Sequence, residues 1–246
     1  MVEPKILIGA PTYVGKKYCL KQYLEGVKNL NYSNYELVLV DNSETDDYAK
    51  YIKATINEMG IKGKVIKDVW INKTKERLVH SRNILRDIFL KEGFDYFFSL
   101  EQDTVMEPDD LKKMIAHGES GKKVVSGIVL NYYDVGKEKR IAGKLLKGGK
   151  RIIVPMAWVP MEAGKVRYMK KEELESGKVF EVWACSLSAT LIHKEVLEKI
   201  KFRYEKAFDD MAFCRDAKQK GFKVYVDTTI RPFHLKTKSE LKVVRL

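Results

Sequence analysis

A short apolar strand that ends in two acidic residues is the feature of this chain best suited to chemistry. Residues 95–100 (DYFFSL) form the predicted strand, residues 101–103 (EQD) follow at once, and a predicted helix covers 109–117. A hydrophobic strand delivers its last residues to the carboxyl edge of a sheet, where ligands bind in open α/β folds. Two carboxylates held there suit Mg²⁺ or Mn²⁺ on a diphosphate. A strand-to-helix turn in which an acidic residue caps the helix would give the same sequence pattern. Other segments are therefore needed to distinguish a metal site from a helix cap.

A second pair of acids, Asp209 and Asp210, opens a predicted helix near the end of the chain. Acids at a helix start have a plain explanation, because they favour the positive end of the helix dipole. They could also supply a general base for a hydroxyl nucleophile, since two close carboxylates tend to raise one pKa. His234 follows the final strand and is a candidate third metal ligand, although a lone histidine is usually structural.

Polar residues also follow the first two predicted strands. Pro11, Thr12 and Tyr13 leave the first strand, and Asp41 ends the second, where it could accept hydrogen bonds from a ribose or a base. The phosphate-cradling glycines of a dinucleotide Rossmann or P-loop motif are absent. Arg82, on the helix before the acidic strand, could pair with a nucleotide phosphate or orient an acid. Pro, Asn, Asp and Ser are common turn residues, so neither turn by itself requires a functional explanation.

The composition is that of a soluble globular protein. The chain has 246 residues, of which 45% are hydrophobic and 33% charged, and no apolar run is long enough to span a membrane. The N-terminus lacks the layout of a signal peptide. Three widely spaced cysteines form no C-x-x-C pair, which favours core packing and a reducing cytoplasm. We therefore expect a cytoplasmic location.

The net charge of +12, from 46 basic and 34 acidic side chains, favours anionic partners. Nucleotide phosphates, nucleic acid and an acidic membrane surface all fit this charge. Much of the excess lies in 137–151 and in the C-terminal lysines, and lysine clusters are usually solvated faces. A peripheral contact with an anionic membrane at its cytoplasmic face stays open, although no amphipathic helix is present to anchor it.

Alternating strands and helices fill the first half of the chain. The predicted strands and helices of this half are 6–10, 17–30, 37–40, 46–59, 64–70, 75–91 and 95–100. Apolar strands separated by helical stretches indicate a parallel sheet with helices on both faces.

Short strands and helices continue after residue 117. The predicted ones are 124–130, 152–158, 179–184, 189–193, 194–200, 209–220 and 223–226. The basic, glycine-rich segment 131–149 is expected to form an exposed loop or hairpin. Because no linker separates two domains, we expect one domain over 1–246. Its nucleotide-binding half covers about 1–103, and its acceptor-side half about 104–246, including the basic loop 136–151.

Taken in order, these segments resemble the GT-A fold glycosyltransferases, most closely glycosyltransferase family 2, over nearly the whole chain. The matching segments are 11–13 (PTY) for a P-x-Y/N turn, 40–46 (VDNSETD) for V-D-D-G-S-x-D, 81–83 (SRN) for A-R-N, 100–104 (LEQDT) at the D-x-D position, and 209–214 (DDMAFC) for E-D-x-D-F-C, with 221–225 (GFKVY) and a late His234 after it. Glu101, Asp209 and Ala212 depart from the family pattern. The Q-x-x-R-W motif of processive synthases is absent, which favours a single addition.

The resemblance implies a GT-A fold, a single Rossmann-like α/β/α domain with a mixed, mainly parallel central sheet. It implies transfer of one sugar from a UDP- or GDP-linked nucleotide-diphosphate sugar to a hydroxyl acceptor, which could be a glycan, a lipid-linked molecule or a small molecule. The implied nucleotide-binding residues are Pro11, Thr12, Tyr13, Asp41, Arg82, Glu101 and Gln102.

The resemblance also assigns the metal and the catalytic base. Asp103 and His234 would hold Mn²⁺ or Mg²⁺, and Glu101 would reach the metal through water or bind the ribose. Asp210 would be the base of an inverting direct displacement, with Asp209 tuning it.

Three alternatives remain open at the level of sequence. A sugar-nucleotide pyrophosphorylase would have a similar acidic site, but Gly9 to Gly15 does not match its glycine-rich loop. A basic nucleic-acid-binding protein would explain the charge, yet no helix-turn-helix, zinc-finger or RNP signature is present, so no nucleic acid is expected as a partner. The substitutions at Glu101 and Ala212 would also fit a glycosyltransferase fold that has lost catalysis.

Overall fold

A mixed sheet forms the centre of the fold in a computed structural model that describes residues 3–135, 139–141, 144–146, 150–205 and 208–235. The first half contributes the strands β1 (Ile6–Thr12), β2 (Tyr35–Asp41), β3 (Gly63–Lys67) and β4 (Tyr96–Leu100), and the helices α1 (Leu20–Lys28), α2 (Asp47–Glu58) and α3 (Thr74–Lys91). A 3₁₀ segment, Val14–Cys19, precedes α1. β1 pairs in parallel with β2 and β4, and β2 with β3, as apolar strands joined by helices predict.

The second half contains shorter strands and helices. They are β5 (Thr104–Val105), α4 (Asp110–Glu119), β6 (Val124–Gly127), β7 (Leu130–Val135), β8 (Lys139–Ile141), β9 (Lys144–Leu146), β10 (Lys150–Pro155), β11 (Ala157–Pro160), β12 (Val166–Tyr168), α5 (Lys171–Leu174), β13 (Val179–Val182), β14 (Ala184–Cys185), β15 (Ala189–His193), α6 (Lys194–Lys199), α7 (Asp209–Gln219), β16 (Val224–Asp227) and β17 (Phe233–His234). The main sheet has the strand order β13-β16-β6-β15-β4-β1-β2-β3. Four of its seven pairings among the described residues are parallel, which confirms the mixed, mainly parallel sheet.

Three predicted strands are divided in the structure, and the last of them, 179–184, divides at Trp183, whose N–H donates to the Trp158 carbonyl at 2.7 Å. The predicted strand 124–130 breaks because the Ile128 N–H donates to the Ile230 carbonyl at 2.8 Å instead of continuing the sheet. Gly127 permits this close approach, since a Cβ there would lie 2.7 Å from a side-chain carbon of Ile230. The predicted strand 152–158 divides at Met156, whose N–H donates to the Val129 carbonyl at 2.8 Å.

The basic segment 131–149 contains antiparallel strands in its described part. β7 pairs with β10, and β8 pairs with β9, so the hairpin form of the prediction is confirmed there. Residues 136–138, 142–143 and 147–149 of the basic loop lie outside the described residues, as do the basic residues after 235.

Helices cover both faces of the sheet. Along β1, Leu7 packs into a cluster with side chains of α3, α6 and α7, whereas Ile6 and Ile8 pack with side chains of α1, α2 and α4. Successive residues of a strand point to opposite faces, and burial of each large aliphatic side chain stabilises the fold by about 1.5–3 kcal/mol. The three cysteines are buried and free, in agreement with core packing. No helix in the described part of the chain is long and apolar enough to cross a membrane.

Candidate functional site

The candidate site lies at the carboxyl ends of the central parallel strands. Thr12 at the end of β1 is in register with Asp41 at the end of β2, and the acidic turn 101–103 follows β4. The short strand β17 pairs with β5, directly after this turn, and places His234 opposite Thr104. Four segments far apart in the sequence therefore meet at one edge of the sheet.

Asp103 lies between His234 and Lys16. Asp103 is buried, and its Oδ2 is 3.2 Å from the Nε2 of His234 and 2.7 Å from the Nζ of Lys16. The Nδ1 of His234 donates to the Leu130 carbonyl at 3.0 Å, which directs Nε2 toward the carboxylate. The Leu235 N–H donates to the Asp103 carbonyl at 2.7 Å and holds the segment that carries His234 against the acidic turn.

The charges around Asp103 control its protonation. Burial alone would raise the pKa of Asp103, but the Lys16 ammonium and the His234 imidazole outweigh burial and lower that pKa. Burial likewise opposes the charged form of His234, yet its hydrogen bond to Asp103 raises the pKa of the imidazole. Asp103 is thus held as an anion inside the protein.

The donor set at Asp103 fits a divalent cation that is shared with a substrate. Asp103 Oδ1 is buried and has no hydrogen-bond partner among the described residues, and His234 Nε2 faces the same carboxylate. The hydrogen bond from His234 Nδ1 to a carbonyl is the usual support of a metal-ligating histidine. In the part of the chain that the structure describes, no three His, Cys, Asp or Glu side chains converge. Two protein ligands are enough when phosphate oxygens and water complete the shell of Mg²⁺.

Arg82 joins the two acidic motifs. Its side chain is 1% exposed, its Nη2 lies 2.5 Å from Glu101 Oε1, and its Nε lies 2.5 Å from Asp209 Oδ2. Its Nη1 donates to the Ser99 hydroxyl at 2.9 Å. All three guanidinium nitrogens face protein groups, so Arg82 orients two acids in this structure, which is one of the two roles that its position suggested. Its contact with a nucleotide stays a prediction.

Glu101 is held by protein contacts as well. Its Oε1 accepts from Arg82, and its Oε2 accepts from the Ser188 hydroxyl at 3.0 Å. Within the acidic turn, Asp103 is therefore the acid that keeps an oxygen without a hydrogen-bond partner among the described residues. A contact of Glu101 with the metal or the ribose stays a prediction.

Asp209 and Asp210 differ sharply in their surroundings at the start of α7. Asp209 is 3% exposed and paired with Arg82, whereas Asp210 is half-buried and its Oδ1 accepts from the Met211 N–H at 2.7 Å. Burial, together with the charge of Asp209, raises the pKa of Asp210 to about 6. A carboxylate with that pKa accepts a proton efficiently near neutral pH, so Asp210 is the candidate base.

The turn residues after β1 and β2 form the other side of the site. Asp41 is buried, its Oδ1 accepts from the Ser43 hydroxyl at 2.7 Å, and its Oδ2 has no partner among the described residues. Burial raises the pKa of Asp41 despite the hydrogen bonds from Ser43. Thr12 is buried nearby, Pro11 is half-buried, and Tyr13 is 39% exposed. Tyr13 is the most exposed of these residues, and the Arg77 guanidinium lies over its ring with the central carbon 5.1 Å from the ring centroid.

Gln102 holds the turn after β1 against the acidic turn. Its Oε1 accepts from the Tyr13 N–H at 3.2 Å, and its Nε2 donates to the Lys16 carbonyl at 2.9 Å. Its Nε2 also contacts the Tyr48 hydroxyl. The side chain is 1% exposed, so Gln102 positions the two turns and has little surface left for a nucleotide.

Sequence reasoning missed Lys16 and Ser188. Lys16 follows the first strand within a run of polar and small residues, and Ser188 lies between β14 and β15 in a serine-rich turn. The sequence signal for Lys16 was its place three residues after the P-T-Y turn. No local pattern pointed to Ser188, since its partner Glu101 is 87 residues away.

Comparison with known proteins agrees with this geometry. The model of glycosyl transferase family 2 matches residues 8–201. The chain is similar in fold to the crystal structure of A197 from STIV, with 17% identity, a TM-score of 0.51, and coverage of 95% of this chain and 87% of that one. It is also similar to the crystal structure of S. aureus TarS 1-349, with 15% identity, a TM-score of 0.54, and coverage of 92% of this chain and 60% of that one. A search of curated proteins finds no match.

The family match covers more than three quarters of the chain and includes β1, β2, β4, the acidic turn and Arg82. It ends before Asp209, Asp210 and His234, whose assignment depends on the geometry described above. The central sheet of mainly parallel strands, with the acidic turn at its carboxyl edge, is the GT-A arrangement that the sequence predicted. On this match and this fold, the chain belongs to glycosyl transferase family 2 and is a glycosyltransferase.

Proposed function

We propose that this glycosyltransferase moves one sugar from a nucleotide-diphosphate sugar to a hydroxyl acceptor, with inversion at the anomeric carbon. The observation that carries the proposal is the pair of ion contacts from Arg82 to Glu101 and to Asp209. These contacts bring the acidic turn, which carries the candidate metal ligand Asp103, close to the start of α7, which carries the candidate base Asp210. An inverting displacement needs a base on the face opposite the leaving group, and a cation near the diphosphate would assist its departure.

The nucleoside is expected on the side of the turns after β1 and β2. Asp41 has a buried carboxylate oxygen without a partner among the described residues, suited to a base or ribose N–H or O–H. Tyr13 exposes its ring at the edge of this turn, where it can stack on a base, and Pro11 and Thr12 shape the wall beside it. UDP and GDP are the donor nucleotides that we expect.

Asp103 and His234 would hold Mn²⁺ or Mg²⁺ in this proposal. Asp103 is held as an anion, its Oδ1 has no hydrogen-bond partner in the part of the chain that the structure describes, and His234 Nε2 faces its Oδ2. A divalent cation bound there would neutralise the charge on the departing nucleoside diphosphate.

Asp210 would accept the proton of the acceptor hydroxyl. As that O–H bond breaks, the acceptor oxygen bonds to the anomeric carbon while the bond from that carbon to the diphosphate oxygen breaks. The products are the glycoside, the nucleoside diphosphate and protonated Asp210. The raised pKa of Asp210, about 6, supports this role, because such a carboxylate is ionised at neutral pH and still basic enough to act.

Thermal shift against UDP-, GDP-, CMP- and dTDP-linked sugars, each with and without Mn²⁺, tests the donor. At one hundred times Kd, a ligand should stabilise the protein by about 2.7 kcal/mol. A Mn²⁺-dependent shift with one nucleotide family would support the proposal and name the donor base. If no nucleotide shifts the melting temperature and the protein binds nucleic acid in a salt-sensitive way, the donor assignment fails.

The stereochemistry of transfer tests the mechanism. Once a donor is known, NMR of the first product should show the anomeric configuration opposite to that of the donor. Retention would remove Asp210 from its role. Formation of nucleoside triphosphate from the donor and pyrophosphate would instead support the pyrophosphorylase alternative, and a donor that binds but is neither transferred nor hydrolysed would support loss of catalysis.

The acceptor is expected to be a glycan, a lipid-linked molecule or a small molecule with a free hydroxyl. The charge of +12 and the basic segment 137–151 motivate a contact with anionic membrane at the cytoplasmic face. Flotation with liposomes that contain anionic lipid tests this contact, and protein that stays at the bottom of the gradient in low salt would count against it.

A further inference from the structure

The Lys16 ammonium is bonded to the carboxylate that the proposed function assigns to a divalent cation. Lys16 Nζ lies 2.7 Å from Asp103 Oδ2, and this is the oxygen that also faces His234 Nε2. The Lys16 side chain is 41% exposed and that of Asp103 is 4% exposed. A solvent-facing lysine therefore reaches over the edge of the site onto a buried acid.

The backbone around Lys16 is fixed on three sides. The Lys16 N–H donates to the Tyr13 carbonyl at 2.9 Å, and the Lys16 carbonyl accepts from Gln102 Nε2 at 2.9 Å and from Cys19 Sγ at 3.1 Å. These contacts hold the root of the side chain between the nucleoside turn and the acidic turn. The ammonium can move by rotation of its four-carbon stem, while its Cα cannot leave the site.

A divalent cation on the Asp103 carboxylate and the Lys16 ammonium on Asp103 Oδ2 repel each other, because like charges at short range interact strongly at the partly desolvated edge of a protein. Because the two oxygens of Asp103 belong to one carboxylate, a divalent cation on either of them lies close to the ammonium and must displace it. A diphosphate that arrives with the cation brings several anionic oxygens to the same space. Lysine is a compact point charge with three donors, and it suits those oxygens.

We propose that Lys16 is a diphosphate-binding residue that neutralises Asp103 in the empty enzyme and moves to the donor phosphates when a divalent cation takes Asp103. This inference rests on the proposed function and adds a residue that the family motifs do not include. The exchange keeps the buried carboxylate paired in both states, so neither the metal nor the nucleotide has to enter a site with an uncompensated charge.

Lys16→Met tests the exchange, since it keeps the length of the side chain and removes the charge. Lys17→Met is the matched control, because the neighbouring Lys17 lies over the Tyr51 ring at 3.9 Å and is exposed. Three affinities are measured for each protein: Mn²⁺ alone by EPR of the free ion, uridine or guanosine by calorimetry, and UDP or GDP by calorimetry in saturating Mn²⁺.

The exchange predicts opposite changes in Lys16→Met. Mn²⁺ alone should bind about tenfold tighter, because the competing ammonium is gone, and the nucleoside diphosphate should bind about tenfold or more weakly, since one charge-assisted hydrogen bond is lost. Nucleoside affinity should be unchanged, which also shows that the fold is intact. Lys17→Met should match the wild type in all three.

Unchanged diphosphate affinity in Lys16→Met, or weaker binding of Mn²⁺, would overturn the exchange. Diphosphate binding by the wild type that needs no Mn²⁺ and is lost in Lys16→Met would also overturn it, because Lys16 would then act in place of the metal. A wild type that binds neither UDP nor GDP in any condition would instead overturn the proposed function itself.

Discussion

The two acidic motifs of the site have the same plan but opposite electrostatics. In each motif Arg82 holds one acid, Glu101 in the first and Asp209 in the second, while the neighbouring acid is left for chemistry. Of these neighbours, Asp103 has its pKa lowered by the Lys16 ammonium and by the hydrogen-bonded His234 imidazole, which together outweigh burial. Asp210 has its pKa raised to about 6 by burial and by Asp209.

This difference shows how one arginine can support two roles. A carboxylate beside cations stays ionised and serves as a ligand, whereas a carboxylate beside a buried acid holds a proton more readily and serves as a base. The residue types are the same, so the neighbours decide the chemistry. Substitutions that remove one neighbour or one acid should therefore change one role and leave the other.

Asp210→Asn should give the largest effect. An amide cannot accept the acceptor proton, so turnover should fall by about two to four orders of magnitude, while Mn²⁺-dependent donor binding is retained. Turnover is measured by release of nucleoside diphosphate, and donor binding by calorimetry. Asp216→Asn on the same helix, whose carboxylate pairs with Arg203 away from the site, is the control. A fully active Asp210→Asn enzyme would remove the base from this position.

Arg82→Met should weaken the fold and both motifs together. The change leaves Glu101 and the buried Asp209 without their cation, which should lower the free energy of unfolding by about 3–5 kcal/mol. Urea denaturation measures this loss. Arg203→Met is the control, because Arg203 pairs with Asp216 and Glu205 at the surface and should lose only about 0–1 kcal/mol. Equal losses in the two variants would contradict the bridging role of Arg82.

Gln102→Leu should act on the first motif and spare the second. It leaves the Tyr13 N–H without its side-chain acceptor and removes one of two side-chain donors to the Lys16 carbonyl, which should lower the free energy of unfolding by about 1–3 kcal/mol. The variant should also bind nucleotide more weakly, because the turn after β1 loses its support. The pH dependence of kcat that is assigned to Asp210 should not change. Gln219→Leu, exposed at the end of α7, is the control. Unchanged stability and affinity would show that Gln102 does not position the turn.

A change of pH should give the smallest effect, and the pH profile of kcat distinguishes Asp210 from Asp103. At saturating donor and Mn²⁺, kcat should fall about tenfold for each pH unit below about 6, because protonated Asp210 cannot accept a proton. Asp103 stays ionised throughout that range, as its pKa is lowered. The residual activity of Asp210→Asn should not show this fall of kcat at acidic pH. A flat wild-type profile between about pH 5 and 8 would contradict the raised pKa.

Local patterns predicted the sheet of the first half and the position of the acidic turn. Residues 95–103 combine an apolar strand with acids at its end, and such a strand places those acids at the carboxyl edge in any parallel α/β sheet. Residues 124–130 were predicted to form one strand, but the structure divides them. The hydrogen bond from Ile128 to Ile230 that ends the strand joins residues about 100 positions apart, so no local pattern could reveal it. The short strands β5 and β17, with two residues each, had no pattern long enough to detect.

The sequence by itself determined the kind of protein: a mainly parallel α/β fold, the family motifs in their order, and the acids that can bind a metal or accept a proton. Only the tertiary structure shows which acid lies beside a cation and which lies beside another acid. His234 meets Asp103 across 131 residues, and Gln102 holds Lys16 across 86. Residue type and spacing give the intrinsic pKa of each group and the strand that carries it. The shifts that separate Asp103 from Asp210 come from burial and from charges on distant segments, and folding alone brings those segments together.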